Sequence, residues 1–571
     1  MSFSFWASLP LSTFDCLILI TGLCALSALS HKVWSLYNIQ LDPMEPPLVQ
    51  PRVPFFGHIM GLMWYNHEYL AMICQRTGQP ICTIPMLHRK AYVLGSPSTV
   101  QAAFRSKAIS FAPFAVDFVS RMDVLSPEAK KAYAEGLHEA VIQTFSSTMS
   151  GSSLRRMNAV ALQEVARLLP DPFAASADRL SNALEVQDIW SWLRSVMTIS
   201  TTSSLFGEQN NPWVKDPSLV ETYWGFEAGD ITGRAPLTDL TDLRSQKDHA
   251  KLVAVLRDYF ASRADEDSNV GLTTSALAKV QREAGYTPVG LGATYVVILH
   301  GALANMVPTM FWTVMYAFTQ PRLIARLRAE LAQAGIVIEA TRPDGMRECR
   351  IRVGEIEKTC PLLLSALRET QRLVSIGTLH RRVLADTVIY DDAKDGEARR
   401  TYLLKKGTAM LLSIKWNHRD PEIWGPHVDE FDTNRFYRDK SRTQDPVTAQ
   451  EDWRNGDADL GGDAMRQRKK AYLPFGGGKE LCPGRSFATS EILGTMVLLI
   501  LGYDITGADG LALKLPEYAP PKMTQTTARP HPSADLRARV RRREGWEDVF
   551  WSAHVDAPDK LDLATAEAIV K

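Results

Sequence analysis

The chain lacks a surplus of charge of either sign, because 64 Lys and Arg residues balance 64 Asp and Glu residues among its 571 residues. A nucleic-acid-binding surface depends on a basic excess, so the composition gives no support for a nucleic acid as a partner. Cysteine is also scarce: the seven cysteines are scattered along the chain, and their spacing does not form a disulfide framework. These absences favour a globular protein in a reducing compartment.

Basic residues are absent before the apolar run at the N-terminus, Cys16 to Ser30, which contains fifteen uncharged residues. A membrane-crossing helix needs about 20 residues, and the weakly polar flank before the run lengthens it. Because Lys32 follows the run, we predict a signal anchor over residues 1–32, with the bulk of the chain in the cytosol. A cleaved signal peptide is the alternative, since Ala25 to Ser30 resembles a small-residue cleavage site. Residues 33–57, rich in proline, are predicted to form a stiff connector.

The most distinctive segment, Phe475 to Arg485, reads Phe-Gly-Gly-Gly-Lys-Glu-Leu-Cys-Pro-Gly-Arg and contains one cysteine, Cys482. Its glycines let the backbone turn sharply and approach a flat cofactor closely. An apolar helix is predicted over Ser486 to Ile500, and its N-terminus favours negative charge. This helix end, with Lys479 and Arg485 nearby, is expected to lower the pKa of the thiol, and the thiolate is the form that binds metals. We therefore predict that Cys482 is a haem-iron ligand; the alternative is a buried structural cysteine.

A pair of opposite charges lies in a second apolar helical stretch, Leu362 to Val374. Glu369 and Arg372 are three residues apart on one face of this helix and can pair directly. One such pair is also typical of a solvated surface bridge, which contributes little to stability. Further along the chain, Trp416 to Pro421 leads into a segment that contains Arg435.

The cysteine loop resembles that of the cytochrome P-450 superfamily of haem-thiolate enzymes, and the resemblance extends over most of the chain. The residues at the family's spacing are Phe475, Gly478, Cys482 and Gly484. With Arg485, they are expected to surround a haem b whose iron is bound by Cys482. One position departs, because Glu480 stands where the family commonly has Arg or His. We expect Glu480 to turn outward or to find a basic partner such as Lys479.

The resemblance also implies a Glu-Arg-Arg network made of Glu369, Arg372 and Arg435, although Thr433 and Asn434 replace the Pro-Glu that the family places before the last of these. The network would hold the meander, which is the irregular segment of chain that leads to the cysteine loop and positions it. For the haem propionates the resemblance points to Arg381, with Arg382 as the alternative, because arginine suits bidentate carboxylate contacts.

The stretch from Gly290 to Thr319 predicts one long apolar helix, in which Gly301 would let a porphyrin lie close. Most members of the family then carry an acid followed by Thr, whereas here these positions are Ala304 and Asn305. Pro308 removes an N–H and leaves the carbonyl of Ala304 without its helical donor, so a kink beside the iron is expected. We predict catalytic roles for Gly301, Ala304 and Asn305, the last holding a water or donating a hydrogen bond to oxygen.

This helix resembles the one in the branch that contains the sterol 7-alpha- and 12-alpha-hydroxylases and prostacyclin synthase. The resemblance implies a membrane-bound monooxygenase that oxidises a bulky apolar substrate, such as a sterol, a triterpenoid or another polycyclic secondary metabolite, with dioxygen. Electrons would come from NADPH through a separate flavin reductase, because no flavin-binding segment follows the haem motifs. A reductase-independent isomerase or dehydratase is one alternative. A non-catalytic haem- or lipid-binding protein is the other.

The predicted fold is mainly α with small β-sheets, that of a cytochrome P-450, with residues 58–571 forming one haem-thiolate catalytic domain. Length alone suggests several domains, but motifs from about residue 300 to residue 490 must meet around one cofactor. The predicted localisation is the endoplasmic reticulum membrane, single-pass, with the catalytic domain in the cytosol.

Four strand segments are predicted from alternating and apolar residues. Ile81 to Pro85 and Lys90 to Leu94 would form a hairpin, and Tyr402 to Leu404 would pair with Ala409 to Ile414 across a turn. The basic run Arg537 to Arg543 predicts a late strand with a solvated face.

Surface loops are predicted over Arg342 to Arg350 and Arg438 to Arg468, which are rich in polar residues. Basic residues just before Pro474 form a candidate reductase-docking patch, with a merely solvated loop as the alternative; they are Arg466, Arg468, Lys469 and Lys470. Side chains predicted to line an apolar substrate cavity are Phe111, Phe114 and Phe118, in a loop, and Leu303 and Ala304.

Overall fold

A computed structural model of the protein describes residues 19–28, 40–51, 57–86, 89–169, 183–229, 243–343, 345–392, 400–437 and 462–553. The chain divides into two compact units, the first from residues 1–110 and 380–412 and the second from residues 111–379 and 413–571. The single catalytic domain predicted over 58–571 therefore contributes to both units, and the domain boundaries stay a prediction.

Helices account for most of the regular structure in the described residues, which confirms the predicted mainly helical class with small sheets. In the first unit they are α1 (Leu19–Ala28), α2 (Gly57–Tyr65), α3 (His67–Thr77) and α4 (Pro97–Arg105). In the second unit they are α5 (Ala112–Ser120), α6 (Pro127–Ala132), α7 (His138–Thr148), α8 (Gly151–Leu168), α9 (Ile189–Phe206), α10 (Pro212–Lys215), α11 (Leu219–Ala228), α12 (Leu243–Ala261), α13 (Leu272–Glu283), α14 (Pro288–Leu303), α15 (Met306–Phe318), α16 (Pro321–Gln333), α17 (Val353–Thr359), α18 (Pro361–Val374), α19 (Ile414–Arg419), α20 (Pro421–Trp424), α21 (Gly462–Ala471) and α22 (Arg485–Gly502).

The strands form small sheets. They are β1 (Ile81–Met86), β2 (Arg89–Leu94), β3 (Ile109–Ser110), β4 (Ala183–Val186), β5 (Val337–Thr341), β6 (Arg347–Ile351), β7 (Thr378–Val383), β8 (Thr387–Tyr390), β9 (Thr401–Leu404), β10 (Ala409–Ser413), β11 (Tyr503–Gly507), β12 (Ala538–Arg542) and β13 (Val549–Ala553). Their orders are β1-β2-β10-β7-β3, β11-β12-β4, β13-β6-β5 and β8-β9.

The predicted hairpin is confirmed, because β1 and β2 pair antiparallel. The predicted pairing of Tyr402–Leu404 with the strand after it is wrong: β9 pairs with β8, and β10 lies parallel to β2. The burial of the two strands gives the reason. Four of the five residues of β10 are buried, as in a central strand, whereas β9 alternates between buried and more exposed residues.

Part of the predicted connector belongs to the first unit. Thr83 of β1 donates its backbone N–H to Pro47 O at 2.8 Å and accepts one from Val49 N–H at 2.8 Å. The buried Glu45 carboxylate accepts hydrogen bonds from Lys90 and, at 2.6 Å, from the hydroxyl of Tyr92. The proline-rich segment is therefore held along the edge of a sheet over these residues.

Two segments of the second unit test the predictions for polar stretches. A surface loop over Arg342 to Arg350 is wrong in its second half, because β6 begins at Arg347 and pairs with both β5 and β13. Its charged residues alternate with the buried Cys349 and Ile351. The late strand is confirmed as β12, and Arg539 and Arg541 lie on its exposed face. The other predicted loop, Arg438 to Arg468, lies outside the described residues except where α21 begins.

The core of the second unit contains two apolar helical stretches that are long enough to cross a membrane, Pro288–Phe318 and Arg485–Gly502. Both are largely buried within the protein, and residues such as Trp312 and Leu499 are fully enclosed. They therefore serve as core helices. At the N-terminus, α1 is short and exposes its apolar side chains, so the predicted anchor over residues 1–32 is described only in part.

One buried carboxyl group in this core predicts a dependence of stability on pH. Glu491 of α22 accepts hydrogen bonds from the hydroxyls of Ser200, at 2.8 Å, and Thr201, at 2.9 and 3.1 Å. Burial raises its pKa from an ordinary 4.5 to about 7, although the two hydroxyls oppose this shift. The folded protein therefore holds a proton that the unfolded chain releases, and stability falls as pH rises through this interval.

We expect the change at Glu491 to lower the free energy of unfolding by at most about 3 kcal/mol between pH 4.5 and pH 7. The Glu491→Gln variant keeps the hydroxyl partners but does not titrate, so its thermal midpoint should change less than that of the wild type between pH 5.5 and pH 8. Equal pH dependence in the two proteins would show that Glu491 does not titrate in this range.

Candidate functional site

The cysteine loop turns at two glycines with positive φ, Gly476 at 73° and Gly478 at 71°, where a side chain would be strained. The loop closes through the backbone N–H of Cys482, which donates to Phe475 O at 3.1 Å. Gly484 then lies beside the sulfur, since a Cβ built there would be 3.9 Å from the Cys482 Sγ. The Cys482 side chain is partly buried, so the loop does not enclose the thiol completely.

The pKa of the Cys482 thiol is raised, so the predicted lowering is wrong. Burial is the largest cause, and it outweighs the hydrogen bonds from the backbone of Gly484 and Arg485 and the positive charge of Arg485. The helix end does act in the predicted direction, but its effect is too small. A coordinated metal cation deprotonates a thiol outright, which removes the need for a low intrinsic pKa.

Two charged side chains of the loop, Glu480 and Arg485, form hydrogen bonds with backbone groups. Glu480 accepts a hydrogen bond from the backbone N–H of Phe111 at 2.6 Å. The basic partner expected for Glu480 stays a prediction. Arg485 is exposed and donates to the carbonyl of Cys482 at 3.0 Å, which tightens the turn into α22. Its predicted role in cofactor binding stays a prediction.

Arg381 belongs to the first unit, where it lies on β7 and is 92% buried. It donates to His380 O at 2.8 Å, and its guanidinium lies over the ring of Phe104 at 5.6 Å. Its neighbour Arg382 lines a basic cleft together with Arg89, Lys90 and Lys406. The propionate contact predicted for Arg381 stays a prediction.

The second unit brings Glu369, Arg372 and Arg435 together in a fully buried cluster. Glu369 accepts two hydrogen bonds from Arg372, at 2.7 and 2.8 Å, and one from Arg435 at 3.0 Å. The two guanidinium groups also donate to backbone carbonyls of the meander, which are those of His418, Val428, Trp424 and His427. The cluster therefore fixes the path of the chain between α18 and the cysteine loop.

His418 joins this cluster to the cysteine loop, and the sequence reasoning missed it. Its Nε2 accepts the backbone N–H of Leu473 at 2.8 Å, and its Nδ1 donates to Arg372 O at 3.1 Å. Burial, with the nearby positive charge of Arg372, lowers its pKa to about 3, so the ring stays neutral and can accept at one nitrogen. The only signal was its place within the segment Trp416 to Pro421.

The central helix is broken, and not only kinked as predicted: α14 ends at Leu303 and α15 begins at Met306. Pro308 has no N–H to offer the carbonyl of Ala304, and the guanidinium of Arg529 takes this carbonyl at 2.7 Å. Arg529 also pairs with the buried Glu227 at 2.5 Å. The carbonyl left without a helical donor is therefore bonded by the arginine of a buried ion pair, which the sequence did not reveal.

One face of this broken helix is open. Val297, Gly301 and Asn305 are exposed at spacings of four residues, and a Cβ at Gly301 would meet no atom within 4 Å. The prediction that Leu303 and Ala304 line a cavity is wrong, because their side chains are 0% and 3% exposed and face the core. The catalytic roles predicted for Gly301, Ala304 and Asn305 stay predictions.

These features fit a haem. The flat group needs a thiol that is not enclosed, a loop without bulky side chains next to the sulfur, and a helix face with space for a ring, and Cys482, Gly484 and Gly301 meet these needs in turn. Glu480 is a carboxylate, so it cannot pair with a haem propionate as the Arg or His that the family commonly has at this position would.

The aromatic residues predicted to lie in a loop are on helix α5, which begins at Ala112 and carries both Phe114 and Phe118. Phe111 precedes this helix, is 39% exposed and stacks on Phe114 with ring centroids 6.1 Å apart. The apolar side chains of α5 are therefore half-buried, and the exposed aromatic ring is that of Phe111.

The predicted basic patch is smaller than the sequence suggested. Arg468 is buried, donates to Ile423 O at 3.0 Å and lies over the ring of Trp424 at 5.6 Å, so it supports the meander instead of a partner. Arg466 and Lys469 are exposed on α21.

Comparison with known proteins places these features in a family. A family model described as Cytochrome P450 matches residues 46–520. The chain is 29% identical over 543 residues to a cytochrome P450 monooxygenase of Gibberella zeae, which covers 93% of this chain and 95% of that protein. It is 26% identical to a cytochrome P450 monooxygenase of Hypoxylon pulicicidum, with 92% and 95% covered. A human 7-alpha-hydroxycholest-4-en-3-one 12-alpha-hydroxylase is 22% identical, with 88% of this chain and 94% of that protein covered.

The resemblance that the motifs indicated is thereby confirmed, including the branch that contains sterol hydroxylases. The family match includes the cysteine loop, the Glu369 cluster and the broken central helix, and relatives named as monooxygenases align over almost their full length. This chain therefore belongs to the cytochrome P450 family of monooxygenases.

Proposed function

We propose that the protein is a membrane-bound haem-thiolate monooxygenase that hydroxylates or oxidises a bulky apolar substrate, a sterol, a triterpenoid or another polycyclic secondary metabolite. The observation that carries this proposal is the partly exposed thiol of Cys482 in a glycine-rich loop, just before a buried helix, in a chain of this family. When haem b is bound to this sulfur, thiolate donation favours O–O cleavage of dioxygen and supplies the oxidising chemistry.

The chain's own residues would hold and shape the site. Gly301 leaves room for the ring, Asn305 presents a polar side chain on the same helix face, and the Glu369 cluster fixes the loop that carries the ligand.

The substrate class rests on two supports. Relatives include proteins named for sterol hydroxylation, and the 12-alpha-hydroxylase aligns over nearly its whole length. Besides Asn305, the exposed face of the central helix carries the apolar Val297, and the apolar Phe111, just before α5, is also exposed. A rigid, largely apolar polycyclic compound matches such a lining.

Electrons are proposed to come from NADPH through a separate flavin reductase. The exposed cations Arg466 and Lys469 of α21, which lies shortly before the cysteine loop, would attract an acidic partner. Attachment to the endoplasmic reticulum membrane by a single N-terminal segment is supported by the exposed apolar side chains of α1, among them Leu19, Ile20, Leu23 and Leu26.

The proposal is tested with microsomes that contain the full chain and a flavin reductase, supplied with a panel of sterols and triterpenoids under heavy-isotope dioxygen. The expected product carries one heavy oxygen atom and forms only with NADPH. Unlabelled product without NADPH would contradict monooxygenation. It would favour an isomerase, which Asn305 in place of the acid and Thr makes the second candidate.

A further inference from the structure

The break in the central helix contacts a segment that comes more than 200 residues later in the chain, Thr526 to Arg529. The hydroxyl of Thr526 donates to the Asn305 Oδ1 at 2.6 Å, and the hydroxyl of Thr527 donates to the same oxygen at 3.0 Å. Arg529 holds the neighbouring carbonyl of Ala304. The amide of Asn305 is therefore bound on one side by two donors.

This contact decides which end of the amide faces the open side of the helix. A carboxamide has an acceptor oxygen with two lone pairs and a nitrogen with two N–H donors. With the Asn305 Oδ1 occupied by both threonine hydroxyls, the remaining group is Nδ2. Asn305 is exposed on the same helix face as Gly301, so its N–H donors are the polar atoms available on that face.

The threonines are fixed by the backbone around them. The carbonyl of Thr526 accepts the N–H groups of Ile376, at 2.9 Å, and Gly377, at 3.1 Å. Gly377 allows this approach, because a Cβ at that position would lie 2.5 Å from the Thr526 Cβ. Thr527 forms a β-bridge with Ser375. The backbone that carries the hydroxyls is thus anchored to the chain just after α18.

Arg529 links the segment to the helix break. Its guanidinium donates to Thr527 O at 2.7 Å and to Ala304 O at 2.7 Å, and it pairs with Glu227 in the interior. Trp312 of α15 also donates its indole N–H to Ala528 O at 2.9 Å, so two buried side chains link the segment to the broken helix. Changes that move the break would also move the amide relative to its two donors.

We propose that Thr526 and Thr527 are positioning residues that hold the Asn305 amide with its N–H2 group toward the reaction cavity, so that Asn305 acts there as a hydrogen-bond donor and not as an acceptor. The inference rests on the proposed function, because it assumes that this helix face lies next to the haem. A donor that is fixed before reaction can orient oxygen or a water molecule without reorganisation.

The test uses carbon monoxide bound to the reduced full-length holoenzyme as a probe, which needs no substrate. A donor near the carbon monoxide oxygen lowers its infrared stretching frequency, whereas a lone pair raises it, because the local charge alters electron donation from the iron. The variants are Asn305→Leu, which sets the frequency of an apolar site, and the double variant Thr526→Val with Thr527→Val, which removes both hydroxyls at nearly constant volume. Thr526→Ser with Thr527→Ser keeps the hydroxyls.

We expect the wild-type band to lie below the Asn305→Leu band, the valine variant to shift upward or to split, and the serine variant to match the wild type. A valine variant with an unchanged band would overturn the positioning role, and a wild-type band above the Asn305→Leu band would overturn the donor assignment. Identical bands in the wild type and Asn305→Leu would instead remove Asn305 from the haem site. If the double valine variant does not bind haem, Thr526→Val alone is read in the same way, since Thr526 is the less buried of the two.

Discussion

Replacing Cys482 with Ala is expected to abolish the haem-thiolate spectrum of the reduced carbon monoxide complex and to reduce NADPH-dependent product by more than about 100-fold, since loss of even an outer partner of a metal ligand costs about 10–100-fold. The glycine-rich loop offers the iron no second sulfur among its own residues, Phe475 to Arg485. The thioether of Met149 also lies beside the loop, 3.8 Å from where a Gly484 Cβ would lie. A thioether carries no charge and cannot replace a thiolate.

Cys360→Ala is the matched control for this change. Cys360 is a buried cysteine of the same unit, at the start of α18, and its pKa is raised by burial to about 11. Its removal deletes the same atoms and should leave the spectrum intact, with only the stability cost of a small cavity. A thiolate spectrum that persists in Cys482→Ala, or that disappears in Cys360→Ala, would contradict the ligand assignment.

The second large effect is expected at Glu369. In Glu369→Gln the side chain keeps its shape but loses its charge, which leaves the guanidinium groups of Arg372 and Arg435 buried without a counterion. Breaking one partner of a buried ion pair costs about 3–5 kcal/mol. Because both arginines also hold carbonyls of the meander, we expect the variant to lose haem at a lower denaturant concentration than the wild type.

Glu355→Gln provides a control with the same spacing along a helix. Glu355 and Lys358 of α17 are also three residues apart, and their contact of 3.2 Å lies at the surface, with both side chains about half or more exposed. Such a pair contributes no more than about 1 kcal/mol. The account predicts a clear difference in the midpoint of haem loss between the two variants. Equal midpoints would mean that the buried cluster does not hold the loop.

The features that the sequence predicted are those whose signal is local. The turn glycines, the cysteine and the start of the following helix lie within eleven residues, Phe475 to Arg485, and the hairpin of β1 and β2 likewise depends on neighbouring residues. Arg435 could be assigned to the Glu369 cluster only because the order of the motifs resembled that of a family.

What the sequence did not reveal depends on partners far along the chain. Asn305 and Thr527 are 222 residues apart, and nothing near Arg529 indicates that it takes the carbonyl freed by Pro308. The error at β10 has the same origin, since its partner β2 lies some 300 residues earlier. The pKa of Cys482 was mispredicted because the local charges were visible in the sequence and the burial was not.

The most direct test of the account is iron K-edge X-ray absorption on the purified holoenzyme, which reports the atoms bound to the iron. We expect one thiolate sulfur ligand in the wild type and in Cys360→Ala, and no thiolate ligand in any haem protein recovered from Cys482→Ala. A wild-type spectrum without sulfur, or a thiolate ligand that remains after Cys482 is removed, would contradict the assignment of Cys482 as the ligand on which the proposed function rests.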